Sequence, residues 1–367
     1  MDANALPLEM AGTHVLVTGG LGFIGSHTVL SLLEVGCSVV IMDNMRNCYE
    51  EAYERMKALA GPEGAARMSF ERLDLLDAGG LADLFSRHAF HAVIHFAGLK
   101  AVGESVEQPM LYYTNNLVGT ANLVGAMAGA GVKTCVFSSS CTVYGNPVGL
   151  PIDESHPVGP ISPYGRTKTY IEEMFRDVAA ADAGWRVVLL RYFNPIAAHP
   201  SGTLGESPRD DGAPPNNLLP YIQQVVTGRR PALTVFGDDY DTVDGTPVRD
   251  YIHVMDLAEG HVAALRRAMS AAPDAKPCEH YNLGTGVGSS VLQVLAACER
   301  AVGRPIPHKL APRRPGDAGA VYASTGAAEK ALGWKARFTL DDMCTHMWAW
   351  MQANPHGYGP PPQDTAA

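Results

Sequence analysis

The feature that most constrains the fold is a series of short apolar, β-branched runs that alternate with segments of helical periodicity. The runs cover residues 14–18, 38–43, 91–96, 134–138 and 186–193. Continuous apolar strands separated by helices are typical of a parallel sheet covered on both faces. We therefore predict an α/β fold with a doubly wound parallel sheet of the Rossmann type.

The sequence pattern changes near Asn194, after which proline-rich loops and shorter elements follow. This change predicts a first domain over residues 13–194 and a smaller, partly interlaced second domain over residues 195–355. Residues 233–262 contain strand-like runs before a helical pattern, so we expect this segment to return to the first domain. Residues 1–12 are predicted to be an N-terminal extension, and residues 356–367 a flexible tail.

Charge and cysteine content exclude several classes of partner. The 367 residues carry a formal net charge of -10, and no basic cluster is longer than Arg229-Arg230 or Arg313-Arg314. Neither nucleic acid nor an anionic membrane surface is therefore an expected partner. The seven scattered cysteines favour reduced thiols over disulfides or a metal site. Because no signal peptide or membrane-spanning apolar stretch is recognisable, we expect a cytoplasmic location.

Residues 18–25, TGGLGFIG, follow the first apolar run and open into a helical pattern. The spacing of Gly19, Gly22 and Gly25 permits a tight turn and lets a helix N-terminus face a pyrophosphate. Glycines alone are weak evidence, because they often serve only a turn. Asp43 closes the second run, where its carboxylate can bind a ribose hydroxyl and repel a 2′-phosphate; the alternative is a turn-starting aspartate. This context favours NAD over NADP.

A second pattern indicates acid/base chemistry. Tyr164 and Lys168 are four residues apart in SPYGRTK, and a serine run ends at Ser140. Positions i and i+4 share a helix face, so we expect the lysine, with a positively charged nicotinamide, to lower the pKa of the phenol. A plain helix-surface pair is the alternative for Tyr164 and Lys168 taken alone.

Longer strings carry a family resemblance from about residue 14 to residue 359. They are HFAGLKAVGES (95–105), FSSSCTVYG (137–145), LRYFNP (190–195), PNNL (215–218), VRDYIHVMD (248–256) and APRRPGD (311–317). The chain resembles the UDP-glucose 4-epimerase family of extended short-chain dehydrogenases/reductases. The resemblance implies a homodimer that interconverts UDP-glucose and UDP-galactose at sugar carbon 4, through a transient 4-keto sugar and tightly bound NAD.

The resemblance also implies roles for individual residues, with Ser140, Tyr164 and Lys168 as the catalytic group. The implied cofactor-binding residues are Gly19, Gly22, Phe23, Ile24, Gly25, Asp43, Asn44, Asn47, Asp74, Leu75, Phe96, Ala97, Gly98, Lys100, Asn115, Tyr164, Lys168 and Phe193. The implied substrate-binding residues are Lys100, Ser140, Tyr164, Tyr192, Asn194, Asn217, Leu218, Phe236, Arg249, Arg314, Asp317 and Val321. An alternative role for Asp74 is to cap a helix. The alternative for Lys100 is that it is a solvated loop residue.

The chain departs from the family pattern at several positions. Cys141 stands where alanine is usual, Ala197 replaces a customary glycine, and the loop 208–215 is longer than its counterparts. Val321 occupies a position that faces the 2-substituent of the sugar and carries a bulky tyrosine in some relatives. Because valine is smaller, we expect UDP-GlcNAc and UDP-GalNAc to be accepted as well.

Two other activities stay open from the sequence. A nucleotide-sugar 4,6-dehydratase typically places an Asp-Glu pair after the site serine or threonine, whereas Cys141 and Thr142 stand here. A UDP-glucuronate decarboxylase shares the fold and the Tyr/Lys pair. A protein that binds NAD without catalysis is a third alternative, although such relatives usually lose the tyrosine or the lysine.

Overall fold

The computed structural model describes residues 10–207, 215, 217–270, 275–314 and 317–359. The strands are β1 (His14–Thr18), β2 (Ser38–Asp43), β3 (Met68–Arg72), β4 (Ala92–His95), β5 (Thr134–Ser140), β6 (Arg186–Tyr192), β7 (Asn194–Ile196), β8 (Leu233–Phe236), β9 (Val248–His253), β10 (Cys278–Leu283), β11 (Gly288–Ser290), β12 (His308–Ala311) and β13 (Ala320–Val321). The helices are α1 (Phe23–Glu34), α2 (Glu51–Ala65), α3 (Ala78–Arg87), α4 (Val102–Glu107), α5 (Pro109–Tyr112), α6 (Gly119–Gly129), α7 (Pro163–Ala181), α8 (Leu218–Val226), α9 (Val254–Met269), α10 (Val291–Val302), α11 (Gly326–Leu332) and α12 (Leu340–Ala353). A π-helical turn covers Tyr113–Val118, and a 3₁₀ turn covers Cys141–Val143.

Seven strands form one parallel sheet in the order β10-β6-β5-β4-β1-β2-β3. The strand order reverses direction between β1 and β4, because β2 and β3 lie on one side of β1 and β4, β5 and β6 on the other. In such sheets, ligands bind beyond the carboxyl ends of the strands at this switch point. The predicted α/β doubly wound fold is confirmed.

Alternation along the buried strands divides the core between the two faces of the sheet. On β1, Val15 and Val17 pack with α1 and α9, whereas Leu16 packs with α3, α6 and α7. All three side chains are fully buried. Because both faces are covered by helices, a continuous apolar run is what each central strand requires.

Among the described residues, two small sheets lie apart from the large one. In one of them β9 pairs with β7, β11 and β13, and in the other β8 pairs with β12. Of the predicted return segment 233–262, helix α9 does pack on the large sheet beside α1, but strands β8 and β9 belong to the small sheets. The strand that returns is β10, which pairs with β6. After β7 the chain therefore returns to the large sheet through α9 and β10 rather than through β8 and β9.

Both predicted terminal segments are packed where the structure describes them. Met10 of the predicted extension 1–12 is buried and donates its backbone N–H to Val35, at 3.3 Å. In the predicted tail 356–367, the Tyr358 ring lies 4.9 Å from the Trp350 ring, between centroids. Residues 1–9 and 360–367 lie outside the described residues. Among the described helices, none has the length and apolar character that crossing a membrane requires.

Candidate active site

The glycine loop joins β1 to α1 at the switch point. Gly19 adopts φ +68°, a conformation that favours glycine, and a Cβ there would lie 2.7 Å from the backbone nitrogen of Ala97. A Cβ on Gly25 would lie 2.8 Å from the Gly20 Cα and closer still to the Gly19 carbonyl. No side chain caps the N-terminus of α1, which begins at Phe23 after Gly22. Its backbone N–H groups are therefore available to a pyrophosphate.

The residues predicted to bind adenosine lie together beside this loop. Asp43 accepts hydrogen bonds from the backbone N–H groups of Leu21, at 3.2 Å, and Met45, at 3.0 Å. Burial raises the pKa of its carboxyl, and these hydrogen bonds oppose the rise. Asn44 donates to the carboxylate of Asp74 at 2.8 Å. The carboxylate at the end of β2 is thus held rigidly where a ribose hydroxyl would meet it.

Other predicted cofactor residues follow β4 and neighbouring elements. The backbone N–H groups of Phe96 and Ala97 donate to Thr18, at 3.0 and 3.1 Å. Gly98 faces the side chain of Asn116, and Asn115 lies on the same π-helical turn and donates to Asn116 at 2.9 Å. Leu75 lies in the core on one face of the large sheet, and Ile24 packs against the core on the other face. Asn47 lies between β2 and α2. Phe193 packs in a small cluster with Cys141 and Val321.

The three predicted catalytic residues converge between β5 and α7. Ser140 is the last residue of β5, and Tyr164 lies in the first turn of α7, which Ser162 caps by accepting from Gly165 N–H at 3.1 Å. The Ser140 hydroxyl accepts from the Thr142 hydroxyl at 3.0 Å and is close enough to the Tyr164 phenol to affect its pKa. The ammonium of Lys168 donates to the backbone carbonyl of Ser138 at 2.7 Å and lies 5.8 Å from the Tyr164 ring centroid.

In the protein without a bound cofactor the pKa of the tyrosine is raised, so the expected lowering, which includes a positively charged nicotinamide, stays a prediction. Burial raises the pKa of Tyr164 to about 12, and the neighbouring Ser140 hydroxyl opposes this rise. Burial likewise lowers the pKa of Lys168 to about 8, against the charge of Glu172. The physical reason is that removal from water disfavours both charged forms. A positively charged ring bound beside the phenol would act in the opposite direction.

A second group of predicted residues forms the nucleotide-sugar side. Arg314 donates to the Asp317 carboxylate at 2.9 Å, and its guanidinium lies 5.0 Å from the Phe236 ring centroid. Arg249 approaches the same carboxylate at 3.9 Å and stands beside Val321 in the register of β9 and β13. The structure therefore brings together two cations, a carboxylate and a flat apolar wall, which suit a diphosphate, a ribose and a base.

The remaining predicted substrate residues lie near this group, with two features that the sequence did not reveal. Asn194 opens β7, and Leu218 opens α8, whose N-cap is Asn217. The carboxylate of Glu206 accepts from Lys100 at 2.9 Å and from Asn217 at 3.3 Å. No motif marked Glu206, because its two partners are distant in sequence. The Tyr192 hydroxyl pairs with buried His261, at 2.6 Å.

The departures from the family pattern have structural counterparts. Half-buried Cys141 shares its cluster with Val321, and burial raises the pKa of its thiol to about 12. Ala197, in place of the customary glycine, adopts φ +76°, so the backbone keeps the conformation that glycine favours. Residues 208–214 of the longer loop lie outside the described residues.

The fold and the site define an extended short-chain dehydrogenase/reductase that acts on a nucleotide sugar. The family model described as GDP-mannose 4,6 dehydratase matches residues 16–347. UDP-glucose 4-epimerase 2 of Arabidopsis thaliana is 58% identical over 345 residues, covering 94% of this chain and 96% of its own. The chain belongs to the UDP-glucose 4-epimerase family.

Solved structures agree with this membership. A UDP-glucose 4-epimerase from Bifidobacterium longum, in complex with NAD+ and UDP, superposes with a TM-score of 0.88 at 48% identity and covers 94% of this chain and 100% of its own. A UDP-Glc/GlcNAc 4-epimerase from Campylobacter jejuni gives a TM-score of 0.79 at 34% identity, with 93% and 100% covered.

Proposed function

We propose that this protein interconverts UDP-glucose and UDP-galactose at sugar carbon 4, with NAD as a retained cofactor. The observation that carries the proposal is the convergence of Ser140, Tyr164 and Lys168 at the carboxyl end of β5, in the same parallel sheet as the strand that leads into the glycine loop. Cys141, which follows Ser140, packs on the same cluster as Val321, the register partner of Arg249. A nucleotide sugar anchored by the Arg249–Arg314–Asp317 group would present its hexose to the catalytic residues. NAD bound at the glycine loop would supply the hydride acceptor and donor for carbon 4.

The chain's own residues account for the proton transfers. Tyr164, beside Ser140, takes the proton of the 4-hydroxyl and later returns it to the alkoxide formed on the opposite face. Lys168, fixed by the Ser138 carbonyl, supplies positive charge beneath the phenol. Since the phenol has a pKa of about 12 in the protein alone, we infer that it becomes an effective base when the cofactor's positive ring is present.

The test is to incubate purified protein with UDP-Gal, without added NAD, and to analyse the product by mass and stereochemistry. We expect UDP-Glc at unchanged mass. Loss of water would indicate a dehydratase, and loss of carbon dioxide from UDP-glucuronate a decarboxylase. The presence of Cys141 and Thr142 after Ser140 favours the epimerase over the dehydratase. If UDP-Gal is not converted even with added NAD, the proposal is wrong.

A Tyr164→Phe variant separates catalysis from binding. We expect kcat to fall by about 10²–10⁴ because the proton acceptor is lost, while bound NAD is retained. Tyr170→Phe, on the exposed side of the same helix, is the matched control and keeps full activity. Unchanged turnover in Tyr164→Phe would instead support a protein that binds NAD without this catalysis.

We also propose that the pocket accepts UDP-GlcNAc and UDP-GalNAc. Val321 packs on the same cluster as Phe193 and Cys141, the residue after the predicted catalytic serine, and its side chain is smaller than a tyrosine. A Val321→Tyr variant should lose most turnover of UDP-GalNAc and keep that of UDP-Gal, whereas Val321→Ala should keep both. Turnover of UDP-GlcNAc below a thousandth of that of UDP-Gal in the unmodified protein would contradict this proposal.

A homodimer is a further part of the proposal. Exposed apolar side chains occur on α4, α5 and the π-helical turn, where Val106, Met110 and Val118 are each about half exposed or more. A patch of this kind suits an interface between copies of the chain. Light scattering of the purified protein should give twice the chain mass.

A cytoplasmic location, also proposed, fits seven cysteines that form no disulfide.

A further inference from the structure

A buried carboxylate lies one helical turn beyond the catalytic lysine. Glu172 follows Lys168 by four residues on α7, and its side chain is 1% exposed. The carboxylate accepts hydrogen bonds from both Nε and Nη2 of Arg191, at 2.9 and 2.6 Å, and from the hydroxyl of Ser139, at 2.5 Å. Half-buried Arg176 reaches it from the surface at 3.1 Å. Every partner of this carboxylate is a donor, so it is held as an anion.

The cation of the pair is fixed just as closely. Arg191 stands between Ser139 and Asn282 in the register of β5, β6 and β10, so three polar side chains cross the sheet side by side. Arg191 also donates to the Tyr144 hydroxyl at 3.1 Å, and its guanidinium lies 4.9 Å from that ring's centroid. Replacement of a buried ion pair by apolar residues is often neutral or stabilising. The pair therefore needs an explanation other than stability.

The surroundings of Lys168 supply one. From β5, its ammonium meets the Ser138 carbonyl and the face of Phe137, at 4.9 Å from the ring centroid. From β4 it faces His95, whose pKa is lowered to about 3 by burial and by the lysine itself, so this neighbour is neutral. Tyr164 and Glu172 flank it on α7. Glu172 is the group whose negative charge opposes the burial of the ammonium.

We propose that Glu172, held in place by Arg191, is a positioning residue that keeps Lys168 protonated while the reaction takes place. The residues that bond to Glu172, namely Arg191, Ser139 and Arg176, are not among those predicted to bind the sugar or the cofactor, so its effect would pass through the lysine. This inference rests on the proposed epimerase function. Arg191 neutralises most of the charge of the carboxylate. Removal of Glu172 should therefore lower the pKa of Lys168, and removal of Arg191 should raise it.

The test compares Glu172→Gln, Arg191→Gln and the double variant by the pH dependence of kcat/KM. Loss of the carboxylate should move the alkaline limb to lower pH by about one unit, because Lys168 then loses its proton more easily. Loss of the guanidinium should move it to higher pH, and the double variant should lie near the unmodified protein. Simple loosening of the fold would move the alkaline limb of both single variants in the same direction. Shifts of the same sign in the two variants would therefore overturn the proposal.

A second readout does not depend on turnover. In protein labelled with ¹³C-lysine, the ε-carbon signal of Lys168 is assigned with Lys168→Arg and followed against pH. Its midpoint should be lower in Glu172→Gln, higher in Arg191→Gln and near that of the unmodified protein in the double variant. If the unmodified protein epimerises nothing, the proposed function fails, while this titration still tests the role of Glu172. Should the buried variants not fold, Arg176→Gln replaces Arg191→Gln, because Arg176 is on the surface side, and a smaller shift to higher pH is expected. An unmoved Lys168 signal would contradict the inference.

Discussion

At the residue scale, burial of Lys168 has a cost in stability that depends on pH. Its pKa falls from 10.5 to about 8 in the folded protein. Below pH 8 both states hold the proton, so the cost of burying the charge is fully present. Between pH 8 and 10.5 the unfolded chain binds more protons than the folded one, so the residue's contribution to the free energy of unfolding rises with pH.

We therefore predict a pH-dependent difference between the unmodified protein and Lys168→Met. From pH 7 to pH 10 the difference in free energy of unfolding should change in favour of the unmodified protein by about 2–3 kcal/mol. Urea unfolding of both proteins without NAD measures it. Lys133→Met is the control, because Lys133 pairs with Asp182 at the surface. A difference that stays constant with pH would show that Lys168 is not buried as a charge.

At the element scale, the junction of β1 and α1 depends on the missing side chain of Gly25. An added methyl would overlap the Gly19 carbonyl and press on the Gly20 Cα. Gly25→Ala should therefore push α1 away from the loop, destabilise the protein by about 1–3 kcal/mol and reduce the NAD that copurifies with it at least tenfold. NAD released from denatured protein gives the measurement.

Gly326→Ala provides the matched control for this glycine. Gly326 is the first residue of α11, it is exposed, and a Cβ there meets no atom within 4 Å. This variant should retain its NAD. If Gly25→Ala copurifies with as much NAD as Gly326→Ala, close packing at this junction is not needed for cofactor binding.

The elements also show what the sequence could and could not predict. The runs 14–18 and 38–43 coincide with β1 and β2, because central strands covered on both faces must be apolar throughout. Strand β10, with Glu279 and His280 half-buried, escaped prediction because a strand at the edge of the sheet tolerates polar residues. The spacing of Tyr164 and Lys168 predicted the pair, but not the raised pKa of the phenol, since burial depends on residues from several distant elements.

At the scale of the whole molecule, one arginine joins the two domains. Arg55 of α2 donates to the Thr203 carbonyl at 2.9 Å and to Asn354 at 2.6 Å. Its guanidinium lies 4.9 Å from the Tyr358 ring centroid and 5.6 Å from that of Trp350. These partners are remote from Arg55 in sequence, so the sequence gives no sign of the contacts. From composition we predicted that a flexible tail starts at residue 356, although Tyr358 is part of the packed molecule.

Tyr358→Ala tests whether this end of the chain belongs to the second domain. Tyr358 donates its backbone N–H to Ser207 at 2.9 Å and its hydroxyl to Gly205 at 3.3 Å, on either side of Glu206. Loss of the ring should lower the free energy of unfolding by about 2 kcal/mol. It should also raise KM for UDP-Gal, because Glu206 contacts Lys100 and Asn217. The exposed neighbour His356→Ala should change neither quantity; if both variants behave alike in urea unfolding and kinetics, the second domain ends at residue 355.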